Sequence, residues 1–161
     1  MRSFLRYTMF LILIGICHFT SLYPQVNNKN EDGIEFRRNA IYGSAGLGLM
    51  YVTGSWYYER IIDTDILSGN AIAFLRIGST KIGGARTGQN LSFEGGLLIV
   101  SMMPQHLELA GGWHPKIGEY SDFLPVGGSF AYRYQKSQGR FIFRFGVGYP
   151  EALFISMGFC F

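Results

Sequence analysis

The chain has 161 residues, enough for one domain, and 48% of them are apolar and 16% aromatic, which excludes a disordered chain. Charged residues make up 16%, against about 25% in ordinary soluble domains, and the 22 glycines are roughly twice the usual share but follow no G-X-Y period, which excludes collagen. The net charge of +3 falls to +1 without Arg2 and Arg6 (12 Lys+Arg against 11 Asp+Glu from residue 26 onward), so the basic stripe that nucleic-acid binding requires is missing.

In chain order, residues 1–8 carry Arg2 and Arg6 and no acid, and 9–17 are an unbroken apolar run. A basic start before a short apolar core predicts a cleaved signal peptide over 1–25; a spanning helix needs about 20 apolar residues. Cys17 follows Ile16, where lipoprotein processing wants a small residue, so a lipid anchor there is not expected. Once the segment is removed, Cys160 is the one remaining thiol and no internal disulfide can form. Residues 26–38 are polar and without period, a flexible leader.

From residue 39 to 161 the pattern is alternation with period 2, broken by turn residues. It predicts eight strands: 39–51, 55–62, 70–80, 90–101, 105–114, 123–136, 139–149 and 152–161. One parity is bulky and apolar: Ile41, Leu47, Trp56, Leu75, Phe93, Leu109, Phe130, Phe145, Ile155 and Phe159 are examples. The other is small, rich in glycine and sparsely charged. A water-soluble barrel would turn the bulky face inward and cover its exterior with charge. Too few charges are present for that, so the bulky face is expected to meet hydrocarbon. Strands of about ten residues suit the ~9–11 needed for a tilted spanning strand, and lipid demands closure because an open edge would leave backbone groups unpaired. The expected fold is all-β, an eight-stranded antiparallel up-and-down transmembrane β-barrel, the even strand number being the bacterial rule. With both termini periplasmic, the connections at 52–54, 81–89, 115–122 and 150–151 face outward and those at 63–69, 102–104 and 136–139 the periplasm.

The inward parity collects Glu59, Glu94 and Glu108 with Arg76, Arg133, Arg140 and Arg144. An isolated charge in a narrow lumen would cost several kcal/mol, whereas three acids and four guanidinium forks can pair into a plug. A gate or narrow polar path is the functional alternative. Catalysis has little to rest on. Lipid A deacylase barrels use a His-x-Ser pair with an acid, but His106 is followed by Leu107 and Glu108, and His114 by Pro115 and Lys116. His106 and Glu108 do share a face. No metal-ligand spacing and no phosphate loop is present; GLGLM at 46–50 reads as barrel wall. No catalytic residue, metal or cofactor is expected.

Tyr58-Glu59-Arg60, His106 to Glu108, Tyr132-Arg133-Tyr134-Gln135, a glycine turn, an aromatic strand and the terminal Phe161 form a pattern across most of 39–161. It resembles a group of small outer-membrane barrels of Bacteroidota, of the OmpA/OmpX eight-stranded type, with Ala110 where that group favours glycine. The resemblance implies an outer-membrane barrel and no activity. Expected partners are outer-membrane lipids, periplasmic chaperones and the barrel-assembly machinery, with Phe159 and Phe161 as the assembly signal; a monomer is expected. The leading function is a non-enzymatic envelope protein with at most weak passive exchange. The alternatives are a lipid-modifying enzyme using His106 or His114, and a surface-binding barrel.

Overall fold

The computed structural model describes residues 37–66, 71–85, 87–102, 104–117, 124–136 and 138–161. The expected signal segment and nearly all of the leader lie outside them. Among the described residues there are nine strands: β1 (Asn39–Leu47), β2 (Tyr51–Ile66), β3 (Ala71–Gly84), β4 (Gly88–Met102), β5 (Gln105–Trp113), β6 (Lys116–Ile117), β7 (Val126–Gln135), β8 (Phe141–Tyr149) and β9 (Ala152–Cys160). All pair antiparallel, each with its neighbour, and β9 returns to pair with β1 from Ala40↔Cys160 to Leu47↔Leu153. The result is a closed barrel of eight staves. β6 is not a ninth stave. It continues β5 along β4 after a break at His114-Pro115, where Pro115 has no N–H to give.

Three turns differ from the sequence reading. Residues 52–54 are not a turn but lie inside β2, with Gly54 paired to Ala45 on one side and Lys81 on the other; the turn falls at 48–50. β2 also runs on through Ile66, and β3 and β4 take up most of 81–89. Glycine punctuates most chains, but here it is ordinary strand material, so reading it as a break cut β2, β3 and β4 short.

The faces follow the parity. Ile41, Leu47, Trp56, Leu109, Phe145 and Phe159 point out and are more than half exposed. The interior is fuller than a small, glycine-rich face suggests, because it also holds rings. Each inward ring faces a glycine on the adjacent strand: Tyr42 opposite Gly158, Tyr57 opposite Gly78, Phe74 opposite Gly96, and Phe154 opposite both Gly46 and Gly146. A Cβ on Gly78 or Gly96 would overlap the facing ring. The glycines thus make room for rings that an eight-stranded lumen could not otherwise hold. Towards the β2–β3 turn the lumen is apolar, filled by Ile61, Ile72, Phe74, Leu98 and Ala110.

Candidate functional site

The middle of the lumen is an ion-pair network built on six strands. Glu108 of β5 is its centre and is wholly buried. Arg144 of β8 grips it with both prongs of its fork, Nε at 2.9 Å and Nη2 at 2.5 Å. Arg76 of β3 reaches Glu108 at 3.1 Å and Arg133 of β7 at 3.4 Å. Two further acids complete the charge balance. Glu59 of β2 pairs with Arg133 at 2.7 Å, and Glu94 of β4 with Arg76 at 2.5 Å. Three carboxylates meet three guanidinium groups, so the cluster is neutral.

Neutral side chains take up several remaining donors. Tyr42 donates to Glu59 at 3.1 Å and accepts from Arg76 at 2.9 Å. Gln135 accepts two hydrogen bonds from Arg133, and Ser129 accepts from Arg76 at 3.4 Å. The guanidinium planes also lie near rings: Arg144 by Tyr42 and Phe154, Arg76 by Tyr57 and Phe74, all within 4.8–5.3 Å. Ring faces are negative, so this placement offsets part of the desolvation of each cation.

Six of the seven residues expected in the lumen are therefore brought together. Arg140 is not. It lies in the turn before β8 with an exposed side chain, although its carbonyl accepts from the Cys160 amide at 2.6 Å. Its even number continues the inward parity of β8, but the strand begins only at Phe141, and a long side chain at the barrel mouth goes to water. Tyr42 and Gln135 were not singled out as members. Both share the inward parity of the charged set, which is the signal that could have found them.

Neither His106 nor His114 lies in an open site. His106 is buried, its Nε2 3.3 Å from the Gln135 carbonyl oxygen; Glu108, on the same face, is occupied by the arginines. His114 is buried too. Its Nδ1 is 3.0 Å from the Ser92 hydroxyl and its Nε2 3.7 Å from Glu94, so Ser92, His114 and Glu94 form a row at the margin of the network. Among the described residues, no group of three His, Cys, Asp or Glu is placed to hold a metal ion.

Comparison with family models, curated proteins and solved structures finds no match to this chain.

What the network can do follows from its geometry alone. Both oxygens of Glu108 accept from guanidinium groups, and those of Glu59 from Arg133 and Tyr42, which leaves neither carboxylate free to take a proton from a substrate. The network occupies the middle of the lumen and ties β2, β3, β4, β5, β7 and β8 to one another across it.

Proposed function

We propose that the protein is an integral outer-membrane barrel of structural role, with a lumen too full to conduct. The observation that carries the reading is the inversion of the usual layout. Phe159, Leu47, Leu153 and Trp113 project from the wall more than half exposed, while Arg133, Arg144, Glu59 and Glu108 are buried at its centre. Water would penalise that wall and hydrocarbon would not. After signal removal the protein is expected in the outer-membrane fraction, migrating faster on a denaturing gel before boiling than after. In vesicles, sugar-driven swelling should stay at the protein-free rate. A water-soluble monomer would sink the membrane reading; swelling above background would sink the closed lumen.

The barrel-assembly machinery is the partner this reading requires. Phe161 exchanges two backbone hydrogen bonds with Asn39, at 2.8 and 3.1 Å, and its ring is exposed. A last strand with an apolar residue at every second position offers an edge and a side-chain pattern for recognition by strand pairing. Deleting Phe161 should sharply reduce the heat-modifiable form in cells yet leave refolding into micelles largely intact. Equal losses in both settings would assign Phe161 to stability instead.

A second reading, a lipid-modifying enzyme, draws on the Ser92 hydroxyl beside His114. An acyl-transfer site needs a nucleophile that a carbonyl can reach, and Ser92 and His114 are both fully enclosed. The enclosed pair therefore speaks for the envelope role and against acyl transfer.

A further inference from the structure

The outer wall is not uniformly bulky. Across β9, β1, β2, β3 and β4 it is cut by a groove of about 670 Å³, within the ~300–1,000 Å³ range of ligand clefts. Its floor is Gly43, Ala45 and Gly54, and Trp56, Ile155 and Met157 stand beside it. These floor glycines differ from those of the lumen. A Cβ on Gly54 would meet nothing within 4 Å, and one on Gly43 would come no closer than 3.9 Å to any atom, whereas one on Gly158 would overlap the Ile41 carbonyl oxygen. Barrel packing therefore does not require glycine at 43 or 54; its effect there is to keep the groove open.

The second observation is charge. Ile155, Ala45, Gly54, Lys81 and Gln89 stand in register across five strands, near the end of the barrel opposite Asn39 and Phe161. Met157, Gly43, Trp56 and Ser79 form the next row, farther from that end. Lys81 thus lies on the rim nearest the barrel mouth, exposed beside Gln89 and Ser79 at the polar edge of the groove. Gln89 hydrogen-bonds Ser79 at 3.1 Å beside it. Among the described residues no carboxylate lies within ion-pair distance of Lys81. A lysine on a lipid-facing wall is costly unless it reaches the headgroup level and finds an anion.

We propose that this groove is a docking site for one anionic, phosphate-bearing lipid. Its phosphate lies against Lys81, and an acyl chain runs down over Gly54, Ala45 and Gly43 beside Trp56. The inference rests on the membrane reading above.

Trp56 makes it testable, because bromine on an acyl chain quenches a neighbouring indole. A Trp113→Phe variant leaves Trp56 as the reporter, and Trp56→Phe leaves Trp113, on β5 outside the groove. Each is placed in phosphatidylcholine vesicles containing a small, equal fraction of dibrominated phosphatidylglycerol or dibrominated phosphatidylcholine. Trp56 should report about five-fold enrichment of the anionic lipid over the zwitterionic one, the effect of one lysine near the membrane surface. Trp113 should show no preference. The enrichment should vanish with Lys81→Gln and also with Gly54→Leu, whose side chain fills the groove; the heat shift on gels checks that each variant is folded. No preference at Trp56 overturns the proposal. So does a preference that survives Gly54→Leu, since the lysine would then attract headgroups without a seated chain. If brominated lipid quenches neither tryptophan, the barrel is not in the bilayer, and the membrane reading itself fails with the docking site.

Discussion

Replacing Glu108 by leucine is expected to destabilise the barrel by about 3–5 kcal/mol, the range for breaking a buried ion pair from one side. The reason is that Glu108 serves three cations at once. Arg76 would keep Glu94 and Arg133 would keep Glu59, but Arg144 would retain no acid among the described residues. A buried guanidinium without a carboxylate is the source of the loss. Two comparisons isolate it. Glu94→Leu should cost less, because Arg76 keeps Glu108 and Tyr42. Glu108→Leu combined with Arg144→Met should recover more than half of the single-variant loss, since a paired charge replaced by apolar groups costs little. The measurement is the urea midpoint of the heat-modifiable form in micelles. A double variant no more stable than Glu108→Leu would mean that Arg144 is not the stranded partner.

The second large effect is expected at Gly158. Valine there would drive its Cβ into the Ile41 carbonyl oxygen and into Cα and Cβ of Tyr42, on the strand that closes the barrel. Neither β1 nor β9 can retreat without giving up the ladder between them. A loss of about 3 kcal/mol or more follows, at the upper end of overpacking costs, together with a smaller folded fraction on unheated gels. Gly54→Val is the control. It adds the same side chain to open space on the outer wall and should leave the urea midpoint within about 0.5 kcal/mol of the parent, as ordinary surface changes do. Equal losses at the two glycines would argue against the ring-and-glycine packing of the lumen.

Strand number, pairing sequence and facing were legible in the sequence because alternation is a local signal. A residue two positions from Phe145 shares its face whatever the rest of the chain does. Strand ends were less legible, because glycine here is ordinary strand material and does not mark turns, as Gly54 inside β2 and Gly83 inside β3 illustrate. The membership of the ion network followed from parity, except at Arg140, where parity was carried past the end of the strand. Who pairs with whom was not legible. Glu59 stands opposite Arg76 in the β2–β3 ladder, yet it bonds Arg133 across the lumen, and Arg76 turns instead to Glu94 and Glu108. Curvature sets those contacts, and it appears only when the sheet has closed. The groove was hidden for a similar reason: its floor and its lysine come from strands that do not adjoin in the chain.

The seam between β1 and β9 has a consequence for how the molecule can be made. It joins Asn39 to Phe161, and with them the first and last strands of the barrel. A polypeptide growing from its amino end therefore has no partner for the outer edge of β1 until β9 has been synthesised. Glu108 likewise meets Arg133 and Arg144 only after they have followed it in the chain. A chain stopped before β9 would own all six charged residues of the network but not the strand that closes the sheet around them. The barrel thus closes only once β9 has been made, and until then the outer edges of β1 and β8 stay unpaired.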